Sequence, residues 1–404
     1  MRLSSIFLAL ASTTSLSVAQ VNNSDCTTTN KEKNGPDFQF TEGADNTYLP
    51  KLAAIFKAAG RNVTAADVWN DGNHYLKQDA SGIAWTWEKK TDYNDQDVEK
   101  WLPQGISSTA DMWDVGTHEG INGWVVSWYQ NNVSVRITFV NRADLSYRNA
   151  ILVNPISNDN YEAVKIHAGG IMLYGNTLWV VDSTDGGRGI RVFDLTNIWR
   201  VDTGSGYGKK ADGGYSAGDY RYVIPQLRLV SLCRDWKTVE YLLTLTSTPR
   251  HYKWTSSFFF RFSFMALDRT TTPDSLIVGE YQPANNENLP TRFARFDLDY
   301  TTRKLRTTNK IAKAVWAYCV NIDRMQGAVS ANGKFYISRS NGNTSRGDMF
   351  GWVPGQLAVN NAGLFPPGPE DLSYDKRNNR VYGLTEHPGS TRVIMSIDAG
   401  AIRM

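Results

Sequence analysis

The sequence predicts an all-β fold and, within that class, a β-propeller. Three observations carry the prediction. A strand–hairpin unit recurs along the chain, a polar-then-small motif opens most units, and the last unit lacks a fourth strand. The clearest unit runs from His167 to Leu195 (HAGGIMLYGNTLWVVDSTDGGRGIRVFDL). It reads as strands Gly170–Tyr174, Thr177–Asp182 and Ile190–Leu195, the first two joined by Gly175-Asn176. Gly-Asn between apolar runs suits the positive-φ backbone of a tight hairpin.

Taken in order, the chain opens with a short targeting signal. Arg2 is the charged start, Leu3–Val18 the apolar stretch, and Ser17-Val18-Ala19 a small-residue cleavage site. Residues 1–19 are therefore expected to be removed in the secretory pathway, leaving a secreted or lumenal protein. The stretch is too short to span a membrane, and no later run is longer. Sequons at Asn22, Asn62, Asn132 and Asn343 fit that route as candidate glycosylation sites, although such triplets also arise by chance. Residues 20–47 read as a polar, poorly ordered leader. An amphipathic helix follows at about Leu49–Ala59, with Leu52, Ile55 and Phe56 on one face and Gly60 as its stop. Residues 48–404 are expected to form a single propeller domain.

The repeat begins near residue 103. Its opening motifs are Gln104-Gly105, His167-Ala168-Gly169, Gln326-Gly327 and, more loosely, Glu370-Asp371. The second strands are apolar runs with polar ends: WVVSW, LWVVD, LIVGE, FYISR and VYGLTE. Third strands follow in each unit, with weaker fourth strands at Ala150–Val153, Tyr220–Ile224 and Lys313–Tyr318. The gap from His167 to Gln326 holds one further unit, Phe262–Tyr281, and an insertion at about Ser231–Arg261. Five units of roughly four strands mark a five-bladed propeller, or a six-bladed one if the insertion forms its own sheet. The last unit ends after its third strand, so an N-terminal strand at Ile83–Glu88 is expected to close the ring.

Composition removes several function classes. The 43 basic and 40 acidic residues give a net charge of +3, which leaves no footprint for nucleic acid or an anionic membrane. There is no P-loop, dinucleotide glycine fingerprint, nucleophile elbow or His-Glu-x-x-His. Three cysteines, Cys26, Cys233 and Cys319, lack metal-site spacing. One disulfide is expected, Cys233–Cys319, since both lie within the body of the fold. No metal and no cofactor are expected.

In a propeller the starts of the innermost strands converge on one face. Gln104, His167, Gln326 and Glu370 should therefore meet at the channel mouth, although each also has a plain structural reading as a partner for backbone groups. Asp182, Glu280, Arg339 and Glu386, at the ends of second strands, lie near that mouth or at the opposite rim. The acid–His neighbours His118-Glu119 and Glu386-His387 do not form ready dyads if strand alternation sends them to opposite faces.

HAGGIMLYGNTLWVVDS, TTPDSLIVGEY, QGAVSANGKFYISRSNG and GPEDLSYDKRNNRVYGLTEHPG resemble a group of secreted propeller-like proteins of fungi and filamentous bacteria. Within that group the chain is similar in size, leader and aromatic content to fungal hetero-Diels–Alderases of tropolonic sesquiterpenoid pathways. The resemblance implies a cofactor-free cyclase that adds a tropolone-type quinone methide to a humulene-type terpene, acting on small apolar or aromatic substrates. The residues fit such a reaction. His167 or Glu370 would assist loss of water, Arg339 would stabilise an enolate oxygen, and Trp128, Tyr129, Trp316 and Tyr318 would wall the partners, with Gln104 and Gln326 as binding groups. Two other readings compete with the cyclase. One is a secreted glycan-active lyase, with His167 as base and Arg339 facing a uronate, or a hydrolase pairing Glu370 with Asp182 or Glu280. The other is a non-catalytic sugar-binding propeller. An apolar closed mouth favours the cyclase, and a groove with paired carboxylates favours glycan chemistry.

Overall fold

The computed structural model describes residues 31–183, 189–232, 262–283, 291–320 and 322–404. Among them the strands form five four-stranded antiparallel units arranged as a β-propeller. Blade 1 comprises Leu102–Ser108, Gly123–Gln130, Ser134–Asn141 and Ser146–Ser157. Blade 2 comprises Ile171–Tyr174, Thr177–Asp182, Gly189–Asp194 and Tyr222–Leu232. Blade 3 is built from Phe262–Asp268, Ser275–Glu280, Thr291–Asp299 and Trp316–Val320, and blade 4 from Met325–Ala331, Lys334–Arg339, Gly347–Trp352 and Val359–Phe365. Blade 5 has three C-terminal strands, Pro369–Asp375, Arg380–Thr385 and Val393–Asp398. Its fourth is the N-terminal Ala84–Thr86, which pairs with Val393–Met395. The first strands of the blades pack side by side in cyclic order, and the last returns to the first.

The apolar core is divided among the gaps between blades. Trp85, Tyr382 and Leu384 of blade 5 meet Ile106, Trp124 and Trp128 of blade 1, and comparable clusters fill the other four gaps. Each inner strand is thus buried on both faces. That is why the second strands read as continuous apolar runs instead of alternating.

Close approach at the axis requires glycine. A Cβ on Gly327 would stand 2.7 Å from the Asp371 backbone, and one on Gly170 would stand 2.5 Å from the Met265 nitrogen. Side chains then suture the inner strands. Asp371 of blade 5 accepts from Ile106 N of blade 1 (3.2 Å) and Ile171 N of blade 2 (3.1 Å). Asp111, just past the first strand of blade 1, accepts from Ser107 (2.7 Å) and from Ser373 of blade 5 (2.9 Å).

The segment before the helix departs from the expected loose leader. Lys31–Lys33 adds to blade 3 beside Trp316–Val320, and Gln39–Glu42 bridges Val230–Leu232 of blade 2 and Ile311–Lys313. Its backbone groups extend existing sheet edges, which a polar composition does not reveal. The helix spans Leu49–Ala58 and buries Leu49, Leu52 and Phe56. Ile55 is 39% exposed, because the buried stripe follows i, i+3, i+7 and leaves position 55 off it. Phe56 stacks on Trp199 at 4.5 Å. Cys319 is disulfide-bonded. Cys26, Cys233, Asn22, the targeting signal and most of the expected insertion lie outside the described residues. No helix among the described residues is long and apolar enough to cross a membrane.

If the N-terminal strand closes the ring, its buried Trp85, edge-on to Trp124 at 4.9 Å, is a structural keystone. Trp85→Ala is expected to cost about 3–5 kcal/mol in denaturant unfolding. Tyr75→Ala, at a 52% exposed site, should cost less than about 0.5 kcal/mol. Equal losses would contradict the closure.

Candidate active site at the channel mouth

A repeated backbone irregularity aims polar side chains into the channel. The pairing of the first two strands shifts register between Pro103 and Gly105, Phe262 and Phe264, Met325 and Gly327, and Pro369 and Leu372. The residues skipped by the ladder are Gln104, Ser263, Gln326 and the Glu370-Asp371 pair. A bulge re-aims a side chain in this way. In blade 2 the same task falls to the turn before the strand, where Ala168 takes φ +59° next to Gly169 and Gly170.

Gln104, Gly169, Ser263, Gln326 and Glu370 line a cavity of about 400 Å³, together with Tyr129, Lys165, His167, Ser183 and Glu386. A chain of hydrogen bonds crosses the mouth from blade to blade. Gln104 Nε2 donates to Glu386 Oε2 at 2.9 Å, Gln326 Nε2 donates to Glu370 Oε1 at 3.1 Å, and Ser263 Oγ donates to Gln326 Oε1 at 3.2 Å. Between the two glutamines, the carboxyl groups of Glu370 and Glu386 are hydrogen-bonded to each other.

Two carboxyls in contact cannot both ionise cheaply, so the pair retains a proton. Burial pushes Glu370 well above the usual carboxylate range, and the neighbouring Glu386 and Asp371 add to the shift. Burial also raises Glu386, with the adjacent His387 pulling the other way. Glu370 is the more enclosed, buried where Glu386 is half-buried. The proton therefore resides on Glu370, which donates to Glu386. Beneath them Asp371 is raised by burial, and its Oδ1 is buried without a partner. Asp111 is pushed up to about 6 by burial, against the pull of its hydroxyl donors. On the same cavity wall His167 packs against Tyr129, ring centroids 4.0 Å apart. Burial, followed by the two glutamates, pushes the Tyr129 phenol up to about 12.

The structure brings Gln104, Tyr129, His167, Gln326 and Glu370 together and places other candidates elsewhere. Arg339 points away from the cavity, bound to Asp348 and, at 3.5 Å, to Asp323. Trp128 is fully buried between blades, with Arg136 over one ring face. Trp316 and Tyr318 sit on the fourth strand of blade 3, edge-on to each other and packed against Phe335 and Trp352. Trp128 on a second strand and Trp316 and Tyr318 on a fourth strand pack into the gaps between blades, whereas Tyr129, next to Trp128 and on the opposite face, reaches the cavity. Asp182 lies 3.5 Å from Arg191, and Glu280 is held at 2.6 Å by two nitrogens of Arg292. Neither lines the cavity.

Ser263 escaped the sequence reading, which also left Glu386 between the mouth and the opposite rim. Glu386 lies one residue past the strand Arg380–Thr385, where alternation no longer separates it from His387, and the two approach to 3.8 Å. Ser263 occupies the position of Gln104, but Phe264 replaces the small residue that follows. The compensating glycine is on the neighbouring strand, where a Cβ at Gly279 would strike the Phe264 ring. Of the sequons, Asn132 and Asn343 are exposed, whereas Asn62 is half-buried and donates its side-chain amide to Thr196 O at 3.3 Å. Among the described residues no group of three or more His, Cys, Asp or Glu is arranged to hold a metal ion.

No family model matches the chain, and no curated protein matches it significantly. Among solved structures it is similar to a thermostable family-43 glycoside hydrolase, at 9% identity and TM-score 0.34, over 75% of this chain and 91% of that one. A putative exo-β-1,3-galactanase from Bifidobacterium bifidum is 10% identical at TM-score 0.31, over 81% and 92%. The β-propeller domain of the Trilobed protease from Pyrococcus furiosus is 12% identical at TM-score 0.29, over 74% and 96%. Likenesses this distant carry no functional weight, and the propeller assignment rests on the strand pairing.

A carboxyl whose native pKa is raised favours folding below its unfolded pKa and loses that contribution as pH rises through the native value. Glu370→Gln keeps a donor toward Glu386 and cannot ionise. It should therefore unfold at a higher temperature than the wild type at neutral pH, with the gap closing below about pH 4, the ordinary carboxylate range. A variant less stable at neutral pH would contradict the proton assignment.

Proposed function

We propose that the channel mouth is a cofactor-independent proton-transfer site that cleaves an acidic glycan by β-elimination. The observation that carries this reading is the Glu370–Glu386 pair, flanked by two glutamine amides, in a polar cavity that also holds His167 and Tyr129. A uronate carboxylate entering the mouth meets the second N–H of the Gln326 amide, whose first is given to Glu370, and takes over from Glu386 the hydrogen bond of protonated Glu370. Donors of this kind stabilise the charge that develops when the adjacent carbon loses its proton. His167 takes that proton, and the electron pair forms the new double bond as the bond to the β-oxygen breaks. Tyr129, held protonated by its raised pKa, gives the departing oxygen its proton. Exchange with water returns both residues to their starting states.

Elimination is favoured over hydrolysis by distance. Glycoside hydrolysis uses carboxyls about 5–9.5 Å apart, leaving room for a sugar carbon or a water, whereas Glu370 and Glu386 touch. The cyclase keeps one support, since a hydroxyl leaving group would find its proton on Glu370. Of its four expected aromatic walls only Tyr129 lines the mouth, since Trp128, Trp316 and Tyr318 lie elsewhere. Amides, hydroxyls and charged groups make up most of the lining, which suits a hydroxyl-rich substrate. Passage through the secretory pathway, with glycans on the exposed Asn132 and Asn343, belongs to the same proposal.

The test incubates the full-length protein with polygalacturonate, alginate and neutral arabinan, and separately with a hydroxymethyl tropolone plus humulenol. The expected result is ultraviolet absorbance from an unsaturated uronate product with an acidic glycan alone. His167→Ala and Tyr129→Phe should each lower that rate by about 10²–10⁴-fold, and Arg339→Gln should leave it unchanged. Adduct formation from tropolone and terpene, or cleavage of arabinan, would overturn the elimination reading.

A further inference from the structure

A second cavity, of about 710 Å³, opens at the rim between the N-terminal segment, the outer edge of blade 1 and the long excursion of blade 2. It differs from the mouth in charge. Lys100, Arg148, Arg200 and Arg221 line it, and Asp219 is the one carboxylate in the lining. Arg148 and Arg221 share Asp71 at 3.4 and 3.7 Å. Lys100 and Arg200 are exposed and have no ion pair among the described residues. The rim cleft therefore keeps uncompensated positive charge on a protein of net charge +3. Three half-exposed phenols, Tyr93, Tyr207 and Tyr220, join the same lining. Flat rings beside fixed cations suit a ligand with both ring faces and negative charge.

The two cavities flank one hairpin. Tyr129, Asn131 and Asn132 face the mouth, while Gln130 faces the rim cleft. Ser134, on the far side of the turn, is held by the Tyr207 hydroxyl at 3.1 Å. A polymer leaving the mouth over this hairpin would reach the cations directly.

We infer that the rim cleft is a distal subsite that binds an anionic glycan segment through Lys100 and Arg200, so that the substrate is a polyuronate chain and not a single acidic sugar. The inference rests on the elimination reading for the chain's path, but its test reads binding alone. Full-length His167→Ala protein, which lacks the base so that the polymer persists, is titrated with polygalacturonate and with neutral arabinan at low and moderate salt. Polygalacturonate should bind, more weakly as salt rises, and arabinan should not. Adding Lys100→Gln and Arg200→Gln should raise the Kd at least about tenfold, while Arg200→Lys alone should retain most of the affinity. An unchanged Kd in the double-neutralised protein, no binding of polygalacturonate, or equal binding of arabinan would overturn the rim subsite. Binding that depends on Lys100 and Arg200 without any cleavage by the wild type would overturn the elimination reading and leave the subsite standing. Cleavage by the wild type, with binding indifferent to the two cations, would do the reverse.

Discussion

Crowding at the propeller axis is the constraint on which the rest of the structure depends. Five first strands meet there, and at Gly105, Gly170 and Gly327 the neighbouring backbone or side chain occupies the space a Cβ would need. Strands that close leave unpaired amides facing one another, and the chain satisfies them with short polar side chains. Asp371 serves blades 1 and 2 from blade 5. Ser107 donates to Asp111 and accepts from Leu173 N. Burying carboxyls in this way is costly unless they are hydrogen-bonded or neutral. The raised pKa values of Glu370, Asp371 and Asp111 follow from the same crowding that lets the ring close.

The site is a by-product of how the strands begin. A bulge at the start of a first strand releases one residue from the ladder, and its side chain turns to the axis. Four blades do this, with Gln104, Ser263, Gln326 and Glu370 as the released residues. Chemistry arises where two acidic groups meet on one blade, Glu370 from the first strand and Glu386 from just past the second. Their contact fixes a proton at neutral pH, and the flanking amides hydrogen-bond both carboxyls. Tyr129 of blade 1 and His167, just ahead of blade 2, line the same cavity and take the acid and base roles in the proposed elimination.

Much of this could be read from the sequence for a physical reason. A bulge followed by close strand approach demands a polar residue and then a small one, so Gln104-Gly105 and Gln326-Gly327 announce themselves. The missing fourth strand of the last blade likewise called for an N-terminal strand, expected at Ile83–Glu88 and found at Ala84–Thr86. Aromatic residues were harder to place, because a strand pattern does not say whether a ring serves a gap between blades or the channel. Trp128, Trp316 and Tyr318 illustrate this, and Arg339 shows the same ambiguity for a charge at a strand end. Glu386 was obscured because its meaning depends on the strand ending one residue earlier. The rim cleft joins residues 73–101 to residues 200–221, a juxtaposition that no local pattern encodes.

The central claim is that Glu370 carries a proton at neutral pH and gives it to Glu386. Infrared difference spectroscopy of wild type against Glu370→Gln at pH 7, in ordinary and deuterated water, measures this most directly. A protonated-carboxyl carbonyl band present in the wild type, shifted by deuteration and missing from the variant, is the predicted result. A difference spectrum showing only the loss of an ionised carboxylate would contradict the account.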